Sequence, residues 1–122
     1  MLWHVELCDA FLLEFYRLPE AVQDELMVQA KLLRRTGPQL GRPHIDTLKG
    51  SKHSNMKELR FKAHGSIWRV AFAFDWHRKA ILLVGGSKSG VSQRRFYNVL
   101  IKVADARFDQ HLADLGEERG NG

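Results

Sequence analysis

The sequence predicts an α+β fold with the element order β-α-α-β-β-β-α, an antiparallel-dominated twisted sheet with helices packed on one face. Three observations predict it. The flanks carry apolar residues at helical spacing. The middle alternates with a period of two, as half-buried strands do. The positive charge is concentrated in that alternating middle.

The formal net charge of the 122 residues is +5. Residues 42–95 hold 12 Lys/Arg against 3 Asp/Glu, whereas 1–41 hold 4 against 6 and 96–122 hold 3 against 5. A cationic sheet between mildly acidic flanks is the footprint of a polyanion partner. The simpler alternative is a basic surface with no partner.

Each element has a local cause. Trp3, Val5 and Leu7 alternate with His4, Glu6 and Cys8, which predicts a strand. Asp9 is placed to cap a short helix through Arg17. Pro19 suits the first turn of a second helix, and Val22, Leu26, Ala30 and Leu33 form its apolar stripe. Gly37 and Pro38 stop it. Residues 37–55 have no clear period and read as a long loop. Met56 to Lys62 then alternates, with Lys57, Leu59 and Phe61 on one face and Glu58, Arg60 and Lys62 on the other. His64-Gly65 reads as a hairpin turn. Ile67 to Asp75 places Trp68, Val70, Phe72 and Phe74 opposite Arg69, Ala71 and Ala73. Trp76 to Lys79 turns the chain into a third strand, Ala80 to Val84. Ser92 opens a long helix whose apolar residues run from Phe96 through Leu100, Ala104, Phe108 and Leu115. A single domain over 1–115 and a frayed polar tail over 116–122 are expected.

Composition excludes several classes. One cysteine, Cys8, rules out an internal disulfide framework. No apolar run approaches the roughly 20 residues of a membrane span. The first residues lack the cationic start and apolar stretch of a signal peptide, so the cytoplasm is the expected compartment. The six histidines show no metal-ligand spacing, and no metal or cofactor is expected. Gly85-Gly86-Ser87-Lys88-Ser89-Gly90 looks like a phosphate loop but lacks the Walker spacing, and a flexible turn is the better reading.

Metal-free RNA cleavage fits these residues best. A 2′-hydroxyl attacks the adjacent phosphate, so the protein must accept one proton, donate another and stabilise extra charge. Arg60, Arg69 and Lys88 are candidates for the charge. Ala71 and Ala73 between them leave room for a ligand to lie on the sheet. Glu58, His53, Lys52 and Lys57 compete as general base, with Tyr97 or a histidine as donor. Lys49, Lys52, His53, Lys62, Arg94 and Arg95 are expected to hold the RNA chain. Each has a plain alternative: solvated face for the cations, helix packing for Tyr97, loop exposure for His53.

The runs Leu48-Lys49-Gly50-Ser51-Lys52, Met56-Lys57-Glu58-Leu59-Arg60-Phe61, Trp68-Arg69-Val70-Ala71-Phe72 and Ile81-Leu82-Leu83-Val84-Gly85-Gly86-Ser87-Lys88 resemble, in order, the RelE/ParE toxin superfamily. More narrowly they are similar to HigB-type toxins and their phage-derived relatives. The resemblance implies the toxin of a type II toxin–antitoxin pair that cuts mRNA on the ribosome. It implies Arg60, Arg69 and Lys88 as the matching cations, and a small helix-turn-helix antitoxin as partner. Relatives often carry an acid/base Tyr or His near the C-terminus, where this chain has a long helix with Tyr97 at its start and His111 inside it. Two other readings share the scaffold: a ParE-like gyrase poison, and a non-catalytic antitoxin-binding relative.

Overall fold

The alternating middle forms the sheet, which is five strands wide. The computed structural model describes the backbone of residues 2–121 and the side chains of residues 2–116. The elements are β1 (His4–Leu7), α1 (Asp9–Phe15), α2 (Glu20–Thr36), β2 (Ile45–Thr47), β3 (Lys57–Ala63), β4 (Ser66–Phe74), β5 (Lys79–Ser87) and α3 (Gln93–Asn121). The strand order is β1-β5-β4-β3-β2, with β1 parallel to β5 and the remaining pairs antiparallel. The predicted α+β class holds. The expected tail over 116–122 falls mostly outside the described side chains, and the backbone continues α3 through Asn121.

Local details differ for local reasons. Strand β2 lies inside the stretch read as loop; three residues are too few to show a period, yet Ile45 is buried there. Asp9 is the first residue of α1, and Cys8 occupies the cap position without a side-chain bond. His64 and Gly65 both have positive φ, 50° and 72°, as a tight hairpin turn requires. Gly37 ends α2 at φ 59°, and a Cβ there would collide with the indole of Trp3. The glycines 85 and 86 lie within β5 rather than in a loop.

The expectation that the helices share one face of the sheet is corrected. Two cores exist, one on each side. Phe11 and Phe15 of α1 and Val22, Leu26 and Leu33 of α2 pack on Leu59, Phe61, Val70, Phe72 and Leu82. Leu100, Ala104 and Phe108 of α3 pack on Ala71, Ala73, Ile81 and Leu83 on the opposite side. The alanines read as space for a ligand are therefore fully buried beneath α3. The sequence shows why: β5 is apolar at every position from Ala80 to Val84, so both of its faces need cover.

Polar clamps fix α3 along its length. Opposite Ala71 and Phe72, β5 carries an extra residue, Leu83, between Val84 and Leu82, which is a bulge. The Leu83 carbonyl accepts a hydrogen bond from Arg107 Nη1 at 2.8 Å, and Arg107 grips Glu14 of α1 with both terminal nitrogens at 2.7 Å. Lys52 and His53 both meet Asp109, at 2.6 and 2.8 Å. Asp75 closes the β4–β5 turn by accepting from the backbone N–H groups of His77 and Lys79, and its other oxygen meets His111 Nε2 at 2.8 Å.

Burial alone would push the Asp75 carboxyl up, but His111 and the two backbone donors outweigh it and hold it below the usual range. Arg107 does the same for Glu14, and Lys52 for Asp109. Carboxyls depressed in the folded state stabilise it fully above their unfolded values, near pH 4, and that contribution is lost as pH falls through the lower folded values. Thermal melts followed by circular dichroism should thus show Tm dropping steeply below about pH 4. Asp75→Asn should cost about 1–3 kcal/mol at pH 7 and flatten the acid limb.

Candidate functional site

Strand register brings the main cationic pair together. Arg60 of β3 sits directly opposite Arg69 of β4, and both side chains point to the α3 side. Two like charges at paired positions repel, and two features answer the repulsion. Glu58, two residues before Arg60 on the same face, accepts from Arg60 Nε at 2.6 Å. The Glu58 side chain is 3% exposed, whereas that of Arg60 is 43% exposed. The guanidinium of Arg69 lies 5.8 Å from the ring centroids of both Phe96 and Tyr97, within cation–π range.

The start of α3 supplies both rings. Ser92 Oγ accepts from the backbone N–H of Arg95 and fixes the first turn. Consecutive Phe96 and Tyr97 then reach the sheet side by side. Gly86 faces Phe96; a Cβ there would lie 3.3 Å from the ring. The glycine thus lets an aromatic ring lie flush against β5 beside Arg69.

The Tyr97 hydroxyl lies 3.5 Å from Arg60 Nη2 and beside the Glu58 carboxylate. Burial raises the phenol above its ordinary value and Glu58 adds to the rise, while Arg60 and Arg69 offset part of it. Arg60 is held up by the Tyr97 hydroxyl and by Glu58. Two atoms in the cluster are buried without a hydrogen-bond partner: Glu58 Oε2 and Arg69 Nε. Groups so placed each destabilise a fold by about 1–3 kcal/mol, as Gln29 Oε1 and Trp68 Nε1 do outside the cluster.

Lys88 follows β5 and lines a cleft of about 340 Å³ with Gly65, Ser66, Ile67, Arg69 and Ser89. Its ammonium donates to Gln93 Oε1 at 3.2 Å. Glu58, Arg60, Arg69, Lys88 and Tyr97 therefore come together around one end of the sheet.

Other expected residues lie elsewhere. Lys57 shares the face of Leu59 and Phe61, on the far side of the sheet, and donates to Thr47 Oγ1. Lys52 and His53 clamp α3 at Asp109, twelve residues beyond Tyr97 and hence about 18 Å along the helix. His53 also packs edge-on against Phe108. Lys49 is exposed in the same loop. Arg94 and Arg95 are exposed in the first turn of α3, and Arg95 lines an apolar groove with Val91, Val99 and Val103. Lys62 is exposed on the Arg60 face, two pairs nearer the hairpin tip.

Sequence reasoning missed Phe96, whose ring backs Arg69, and the burial of Glu58. Adjacent aromatics right after a helix cap were the available signal. Among the described residues no group of three or more His, Cys, Asp or Glu is placed to hold a metal ion, and no helix is long and apolar enough to cross a membrane.

Residues 13–109 match the family described as "Phage derived protein Gp49-like (DUF891)". Two Mycobacterium tuberculosis (strain ATCC 25618 / H37Rv) proteins are similar in sequence. "Putative toxin HigB2" is 44% identical over 90 residues, covering 73% of this chain and 44% of that protein. The chain thus spans less than half the length of this relative. "Putative toxin HigB3" is 46% identical over 91 residues, covering 75% of each. A solved structure of the E. coli toxin RelE, a double arginine-to-alanine mutant in the free state, superposes with a TM-score of 0.56 at 13% identity. It covers 83% of this chain and 95% of that one, a likeness of fold.

Absorbance titration near 295 nm checks the cluster. Tyr97 should ionise above the ordinary value near 10, because it is partly buried and lies beside Glu58. Glu58→Gln should lower it, because the neighbouring negative charge is gone. Gly86→Ala should leave the fold intact but change the near-ultraviolet dichroism of Phe96 and Tyr97.

Proposed function

The chain belongs to the phage-derived Gp49-like family, and from that membership we propose that it is the toxin of a type II toxin–antitoxin pair. We infer further that it is a metal-independent endoribonuclease acting on mRNA at the ribosome, in the cytoplasm. The carrying observation is the Glu58–Arg60–Tyr97–Arg69 cluster, a buried carboxylate and a neutral phenol held between two guanidinium groups.

The chemistry follows from the parts. The substrate 2′-hydroxyl gives its proton to the Tyr97 oxygen while Tyr97 passes its own to the neighbouring Glu58 carboxylate. The 2′-oxygen bonds to phosphorus and the bond to the 5′-oxygen breaks, leaving a 2′,3′-cyclic phosphate. The Lys88 ammonium supplies the proton to the departing 5′-oxygen. Arg60 and Arg69 stabilise the added charge on the phosphate, which exists only in the transition state. Their preorganisation costs nothing during reaction, because Glu58 and the two rings already hold them. Lys52, His53 and Lys57 take no part in this scheme. A cognate helix-turn-helix antitoxin is the partner implied by the toxin reading.

Expression without antitoxin should arrest growth, and mapped transcripts should carry new 5′ ends inside codons. Arg60→Ala and Tyr97→Phe should each lower turnover by about 10²–10³-fold. Tyr97→Phe should leave Tm nearly unchanged, whereas Arg60→Ala should also lower Tm, because it strands the buried Glu58 carboxylate. Cleavage should survive chelation. Intact mRNA together with gyrase trapped on broken DNA would replace this reading with the gyrase-poison alternative. A folded protein with no toxicity would leave the binding-module alternative.

A further inference from the structure

Three clefts meet at one apolar side chain. Ile67, the residue after the first position of β4, is 44% exposed and lines clefts of about 340, 440 and 490 Å³. The first holds Arg69 and Lys88. The second crosses the hairpin tip at Gly65 and Ser66 and holds Lys62. The third holds Lys62, Arg60 and His44. The shared walls make one path over the β3–β4 hairpin, with two cations on each side of Ile67.

The path is asymmetric in charge. Glu25, at the far end beside Gln29, is the only carboxylate that lines it among the described residues. Arg69 is 8% exposed, yet its Nε has no partner and its Nη1 makes only a 3.5 Å contact with the Ile67 carbonyl. A guanidinium that lines an open cleft and meets no carboxylate among the described residues can receive an anion there through its terminal nitrogens. Lys62 makes no ion pair among the described residues.

We propose that the β3–β4 hairpin is a substrate-binding saddle. Single-stranded RNA crosses it with the reacting phosphate held by Arg60, Arg69 and Lys88, the next phosphate on Lys62, and one nucleobase resting on Ile67. This rests on the ribonuclease reading and extends it from the reacting phosphate to its neighbours. An exposed β-branched residue between cations gives a base an apolar seat without a hydrogen-bond code. The saddle therefore grips RNA with little dependence on the identity of that base. Arg69 and Arg60 reach both the saddle and the reacting cluster, so threading and catalysis share the central phosphate.

Binding of a 2′-O-methyl oligonucleotide, which has no free 2′-hydroxyl and stays intact, isolates the saddle from the chemistry. Fluorescence anisotropy over a salt series reads affinity and slope for wild type and three surface variants. Lys62→Gln and Lys88→Gln should each weaken binding and reduce the salt slope by about 0.7, one phosphate on a single strand. Ile67→Ala should weaken binding about 5-fold or more with the slope unchanged, and equally for purine and pyrimidine oligonucleotides. If wild type cleaves RNA while none of the three variants changes binding, the saddle is wrong and the ribonuclease reading stands. If wild type binds the oligonucleotide with these signatures but cleaves no RNA, the saddle stands and the catalytic reading falls. Absence of measurable binding by wild type overturns the saddle.

Discussion

Helix α3 lying across the sheet is the constraint on which the rest depends. Before α3 is placed, the α3-facing side of β3, β4 and β5 sets Ala71, Ala73, Ile81 and Leu83 beside two arginines and one glutamate, an uncovered core next to an unfavourable charge array. The helix resolves both problems at different points along its length. Leu100, Ala104 and Phe108 bury the alanines. Phe96 and Tyr97 cover Arg69 and flank Arg60. A cluster with a buried carboxylate and unpartnered polar atoms is tolerable only because apolar burial a turn or two away holds the helix in place.

That placement also explains why the helix is pinned by so many polar clamps. Apolar contacts fix the distance between a helix and a sheet but permit sliding along a smooth, alanine-lined surface. Arg107 on the Leu83 carbonyl, His111 on Asp75, and Asp109 on Lys52 and His53 are directional, and each holds a different length along α3. A shift of one residue would move the Tyr97 hydroxyl by about 1.5 Å and rotate it by roughly 100°. Either change would separate it from Arg60 and Glu58. The clamps thus set the register of the aromatic pair, although none of them is near it.

Much of the scaffold was legible in the sequence. Period-two alternation located β3 and β4, and the 3.6-residue period located α2 and α3. Parity along β3 and β4 put Glu58, Arg60 and Arg69 on one face, since a regular strand leaves no other choice. What the alternation could not tell was which face would be covered. Small residues beside cations are consistent with a ligand bed or with a tightly packed helix, and only the apolar run in β5 distinguishes them. The position of β2 was hidden for another reason: three residues are too short a run to show a period.

The cations teach the harder lesson. In sequence, Lys52, His53 and Lys57 look as much like an active centre as Arg60 and Arg69, because formal charge carries no information about pairing. Burial and partners separate them. Lys52 and His53 share the exposed carboxylate of Asp109, an arrangement that leaves nothing unmet. Arg60 is offered a carboxylate through only one of its nitrogens and keeps an exposed edge, and Arg69 is enclosed by rings that attract its charge without saturating its donors. A positive charge held in place but left short of hydrogen-bond acceptors has its acceptor still to come. On that criterion the edge of β3 and β4 under the start of α3 is the proposed anion-binding centre, and the basic loop before β3 is the brace that keeps the helix there.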